Sequence, residues 1–150
     1  EEGRMASKQI IAYGATVERS TDGVAWAAIP ECKGIAIPAP STDYIDATSL
    51  DSPNGFKEYV RGMRDAGEIS LPCGYTAAGY EQQIADSVRD EPVFYRTTLK
   101  PAPGQKTGDV FQFRGFPTPQ VEGNDVTGLI AMTISIRTTG DVIWTKGTKA

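Results

Sequence analysis

LIAMTISIR, residues 129–137, alternates apolar and other side chains at nearly every step. An extended chain points successive side chains to opposite faces. Ile130, Met132, Ile134 and Ile136 therefore share one face, and Ala131, Thr133, Ser135 and Arg137 share the other. One face is core and the other is wet. Further short, β-branched or alternating segments read as strands at 9–19, 26–29 leading into 34–37, 44–48, 68–73, 93–100, 110–116 and 120–124. STDGVAW (20–26) and PAPGQKTGD (101–109) carry the glycine, proline and aspartate of hairpin turns. The spacing predicts one helix: Thr76 is its N-cap, Ala77, Tyr80, Ile84 and Val88 form its packing stripe, and Pro92 stops it. Gly79 weakens that helix by roughly 1 kcal/mol relative to alanine, so tertiary packing has to hold it. The fold class that follows is mainly β (α+β), an antiparallel β-sandwich or barrel with one flanking α-helix and a long extended loop.

Composition narrows the chemistry. The 150 residues fit one domain, read as 5–150, with EEGR at 1–4 taken as an expression scar ahead of Met5. No apolar run approaches the ~18 residues of a membrane span, so no membrane anchor is expected. Histidine is absent, which removes the commonest general base, the commonest metal ligand and the Ser-His and Cys-His nucleophile pairs together. Neither a Walker-type nor a dinucleotide-binding glycine motif occurs. Asp43 with Asp46 and Asp90 with Glu91 lack calcium-loop spacing and read as solvated charge. Cys32 and Cys73 are too few and too far apart in sequence for a disulfide framework or a zinc site, and read as two reduced, partly buried thiols. No catalytic, cofactor or metal site is expected, and no enzyme. The formal net charge of −4 argues against a surface that works by neutralising phosphate.

The segment ATSLDSPNGFKEYVRGMRDAGEIS (47–70) fits none of this economy. From 49 to 67 it is long enough to run out and back with a reach near ~30 Å at ~3.3 Å per residue. A globule of this size has a radius of gyration of only ~15 Å. An extended arm would expose Phe56, Tyr59, Val60 and Met63 unless another chain covers them. The alternative is a short amphipathic helix, because those four lie at i, i+3, i+4 and i+7, although Gly62 and Pro53-Asn54-Gly55 oppose it.

This arm, the helix GYTAAGYEQQIADSV (74–88), VFYRTTL (93–99), VFQFRGFPTPQVEG (110–123) and the alternating strand LIAMTISIRTTG (129–140) together resemble the major tail tube protein of long, non-contractile-tailed bacteriophages, similar to the tube domain of the lambda tail protein. The resemblance implies hexameric rings that stack into a tube passing double-stranded DNA without binding it specifically. It implies tape measure, tail tip and tail terminator proteins as partners, a place in the virion tail, and assembly in the bacterial host cytoplasm. It also implies that residues 49–67 touch the next ring, with Asp51, Phe56, Lys57, Glu58, Tyr59, Arg61, Met63, Arg64 and Asp65 as contact residues. From alternation, the lumen-facing candidates are Glu68 and Ser70, Gln120 and Glu122, and Thr133 and Ser135. Six acidic copies suggest a wall that repels phosphate, its inward positions polar and non-basic. Arg137 breaks that rule and is expected at a ring rim or beside a carboxylate. The rival readings are a tube protein of a related injection system (gene transfer agent, tail-like bacteriocin or type VI secretion) and a monomeric β-sandwich binding module.

Overall fold

The computed structural model describes residues 9–123 and 126–149; the expected start at Met5 and the end of the 120–124 segment lie outside them. In chain order the elements are β1 (Thr16–Ser20), β2 (Ala27–Ala28), β3 (Ser41–Asp46), β4 (Tyr59–Asp65), β5 (Glu68–Gly74), α1 (Ala77–Ser87), β6 (Val93–Thr98), β7 (Val110–Glu122) and β8 (Ala131–Thr145). Six strands form one antiparallel sheet in the order β2-β1-β6-β7-β8-β5, while β3 and β4 form a separate two-stranded hairpin. The class is mainly β with one helix, as the sequence predicts.

The core follows the alternation. Met132, Ile134 and Ile136 of β8 are fully buried beside Leu71 and Cys73 of β5, and the same face continues through Phe113, Tyr95 and Val17. Tyr95 and Phe113 stack with ring centroids 5.6 Å apart. Ile130, assigned to this face from the sequence, lies before the strand begins and is exposed.

Several boundaries differ from expectation for identifiable reasons. Of residues 9–19 only the end is a strand, because Gly14 takes a left-handed φ of 96° and Ala15 N–H closes a turn on the Ala12 carbonyl. Residues 34–37 make no ladder. The segments 110–116 and 120–124 are one strand in spite of Pro117 and Pro119. Past Gly115 strand β7 pairs only with β8, and alternate residues turn their N–H to the unpaired side, where a proline costs no ladder bond. Strand β8 runs on to Thr145 by accommodating a bulge opposite Gln112 and Arg114.

The helix starts as predicted, with Thr76 Oγ1 accepting from the Gly79 N–H at 3.1 Å. Its packing face is corrected. The buried residues are Gly79, Gln83 and Asp86, with Tyr80 half-buried, while Ala77, Ile84 and Val88 are exposed. An ion pair decides this: Arg19 of β1 donates from Nε to Asp86 Oδ2 at 2.6 Å and from Nη2 to Oδ1, pinning the helix by its polar side. Gly79 is needed where it stands, since a Cβ there would meet Pro30 Cγ at 3.1 Å.

Candidate assembly interface

Residues 49–67 are not helical at Phe56–Met63. The hairpin begins earlier than expected, at Ser41, and pairs Ser41 with Asp65, Tyr44 with Arg61, Ile45 with Val60 and Asp46 with Tyr59. A bulge lies between Thr42 and Tyr44, where Gly62 is tight enough that a Cβ would sit 3.2 Å from the Asp43 carbonyl oxygen. The tip is ordered by its own bonds. Ala47 N–H reaches the Glu58 carbonyl at 2.8 Å, Glu58 N–H reaches Thr48 Oγ1 at 2.8 Å, and Ser52 Oγ donates to Glu58 Oε2 at 2.9 Å. Asn54 and Gly55 turn the chain with φ of 57° and 71°.

Both faces of this hairpin are apolar and open. Tyr44 and Tyr59 lie on one, Ile45 and Val60 on the other, and Met63 (86% exposed) and Phe56 (72%) extend the surface. A lone two-stranded hairpin is marginal in water, and contiguous exposed apolar surface marks an interaction site. Asp51, Lys57, Glu58, Arg61 and Arg64 are all exposed around it. Asp65 instead pairs within its own chain: Arg137 Nη2 donates to its Oδ2 at 2.8 Å, and Gly67 N–H to its Oδ1 at 2.9 Å. The Gly67 N–H and then the Arg137 guanidinium hold the Asp65 carboxyl below its ordinary pKa. Arg137 thus has the carboxylate the sequence argument requires, and the pair fixes the root of the arm to β8.

The six candidates from alternation share one face of the large sheet. Ser70 and Thr118 flank Ser135 across the ladders, Pro72 and Gln120 flank Thr133, and Glu68 lies opposite Arg137. Thr133 Oγ1 donates to Glu122 Oε1 at 3.2 Å. The expectation that this face lacks basic residues does not hold. Continuing the same parity across β7, β6 and β1 adds Arg114, Arg96 and Glu18. Arg96 donates to Glu18 Oε1 at 2.8 Å and lies 4.3 Å above the Trp26 ring. Arg114, exposed, has no carboxylate partner among the described residues. The face therefore carries Glu18, Glu68, Glu122 and Asp141 against Arg96, Arg114 and Arg137, and most of the acidic excess of the chain lies elsewhere.

At the far end of the sheet from the arm root, Tyr75, Leu129 and Ile130 are exposed together around the end of β5 and the start of β8, with Val121 exposed near the end of β7. Among the described residues no cluster of metal-ligating side chains occurs, and no helix is long and apolar enough to cross a membrane.

No protein-family model and no curated protein matches the chain in sequence. Solved structures do match in fold. A chain of the anti-feeding prophage cap (tube terminating cap) superposes with a TM-score of 0.72 at 18% identity, over 96% of this chain and 95% of that one. A chain of the PVC sheath-tube complex of an extracellular contractile injection system, in its extended state, gives 0.69 at 17% identity over 92% of each. The tail of an empty GTA particle, refined helically with C6 symmetry, gives 0.62 at 18% identity over 87% of this chain and 94% of that one. The fold is a tail-tube fold. It is shared by contractile injection systems as well as phage-like tails, so it does not single out the non-contractile phages that the sequence resembles. The similar structures are parts of tube, cap and tail assemblies.

Proposed function

We propose that this chain is the subunit of a tail tube: copies close into hexameric rings, the rings stack, and the channel passes double-stranded DNA without specific binding. The observation that carries this reading is the hairpin of β3 and β4, which stands off the sheet with apolar side chains on both faces. A second copy is the occupant that makes such an arm profitable in every molecule. Because the arm leaves one end of β5 and the Tyr75–Ile130 patch lies at the other, contact between them is head-to-tail and repeats without closing, which generates a filament. The open polar face of the sheet is assigned to the channel wall. Its exposed edge at Glu68 and Ser70, free of the Lys33 and Glu31 backbone bonds that cap Pro72 and Gly74, is a site for edge-to-edge joining around the ring.

A tape measure inside the channel, a tip and a terminator at the tube ends are the partners this reading brings, with assembly in the host cytoplasm. A second reading, the tube of a contractile injection system, is favoured by the higher TM-scores to such assemblies and by the exposed Ile84 of α1 and Val88 just after it, which a surrounding chain would cover. Electron microscopy of the concentrated protein tests the shared core of both. The intact chain is expected to form rings or tubes. A variant lacking residues 52–64 is expected to stay folded by circular dichroism and to form none. A monomeric intact chain at high concentration, or a deletion variant that still makes tubes, would overturn the proposal.

A further inference from the structure

Cys32 and Cys73 lie 41 residues apart in the chain, yet their sulfurs are 3.3 Å from each other and both are free thiols. They face each other in an isolated antiparallel bridge outside the named ladders. The flanking bonds, Lys33 N–H to the Pro72 carbonyl at 2.9 Å and Gly74 N–H to the Glu31 carbonyl at 2.8 Å, make this a non-hydrogen-bonded pair, the kind that brings Cα atoms and side chains closest. That spacing lies within the reach of a disulfide. The register is enforced just upstream, where Glu31 takes a left-handed φ of 58° and turns the chain onto the edge of β5. We propose that Cys32 and Cys73 form a site of intramolecular disulfide closure, made when the protein meets a small-molecule disulfide such as oxidised glutathione.

The two sulfurs have different roles. Cys32 is partly exposed and is the one an external reagent reaches, while Cys73 is buried. The Cys32 thiolate attacks one sulfur of the small disulfide, forming a mixed disulfide and expelling one small thiolate. Cys73, deprotonated, then attacks the Cys32 sulfur and expels the second. Two protein thiols lose two protons and two electrons, and the small disulfide is reduced to two small thiols. The hydrogen bond to Cys73 and burial push the Cys32 thiol up, whereas the bond from Cys32 favours the Cys73 thiolate. For the exposed sulfur to attack, the proton it holds must first pass to Cys73, and Cys73 then loses that proton to solvent before it attacks Cys32 in turn.

The closed loop contains the whole arm. Residues 33–40, which carry the chain from the bridge to β3, make no ladder, so the arm's first leg is held to the body by side-chain packing of Ile35 and Ala36 and by this bridge. A covalent bond at 32–73 joins that leg to β5, where the second leg returns, so that load on the arm passes into the sheet on both sides. The inference holds whether or not the copies assemble.

The test uses the full chain equilibrated with oxidised and reduced glutathione. Oxidation is expected to lower the intact mass by about 2 Da, for two hydrogens lost, to protect both cysteines from alkylation after unfolding, and to yield a cross-linked peptide pair joining Cys32 to Cys73. The melting temperature should rise by about 5 °C or more, because closure restricts the unfolded chain. Cys32→Ser should show neither the mass change nor the rise. Two alkylatable thiols after equilibration with oxidised glutathione, a stable single glutathione adduct at Cys32, or cross-linking between chains would overturn the proposal.

Discussion

At the scale of single residues, the position of the helix depends on one charge pair. Asp86 is 3% exposed and Arg19 holds it with two hydrogen bonds. Removing one partner of a buried pair leaves the other desolvated and uncompensated, which typically costs about 3–5 kcal/mol. Asp86→Ala is therefore expected to lower the unfolding free energy by roughly that amount, read by urea denaturation, and Arg19→Met combined with Asp86→Leu should recover a large part of it. A small loss in the single variant would show that the apolar contacts of α1 hold it unaided. None of this was legible in the sequence. Ala77, Tyr80, Ile84 and Val88 make the better helical stripe, and the burial of Asp86 depends on an arginine 67 residues away. The wet faces of the strands were legible, because period-two alternation needs no knowledge of a distant partner: Glu68, Ser70, Gln120, Glu122, Thr133 and Ser135 do lie on one face. Arg96 and Arg114 were missed because that parity was not carried into β6 and β7.

At the scale of elements, the arm shows why local pattern underdetermines structure. Phe56, Tyr59, Val60 and Met63 satisfy helical spacing, yet the ladder to Ser41–Asp46 makes a strand, and that pairing is invisible until the opposite strand is placed. The prolines of β7 mislead in the opposite direction, splitting one strand into two. The root of the arm is sensitive to acid. A carboxyl whose folded-state pKa lies below its unfolded value of about 3.9 contributes stability above that value and loses it as pH falls toward the folded pKa. Asp65 is such a group, depressed by the Gly67 N–H and by Arg137. Below about pH 4 the contact with Arg137 is expected to weaken, and amide exchange at Gly67 to quicken relative to amides in β6, after correction for the intrinsic effect of pH. Asp65→Asn should remove that acid step. An unchanged Gly67 protection ratio down to pH 2 would place the anchor of the arm elsewhere.

At the scale of the whole molecule, net charge proves a poor guide to any one surface. The chain is acidic, but its open sheet face sets four carboxylates, Glu18, Glu68, Glu122 and Asp141, against three arginines, two of which are held by carboxylates. On the proposed reading this face lines the channel, and so nearly balanced a wall would neither grip nor repel phosphate strongly. Adding bare positive charge should spoil it. Thr118 and Gln120 are exposed on this face, and neither side chain enters the core. Thr118→Lys with Gln120→Lys adds two charges per copy, about +12 per ring of six, and exposed substitutions of this kind usually cost within ~0.5 kcal/mol each. Tubes are expected to form with normal dimensions. DNA passage is expected to slow, since lysines facing phosphate bind by releasing counterions, and to recover as salt rises and screens them. Glutamates at the same two positions should leave passage near the native rate. If the lysine variant assembles and passes DNA at the native rate at low salt, the polar face lies on the outside of the tube and the channel is lined by another surface.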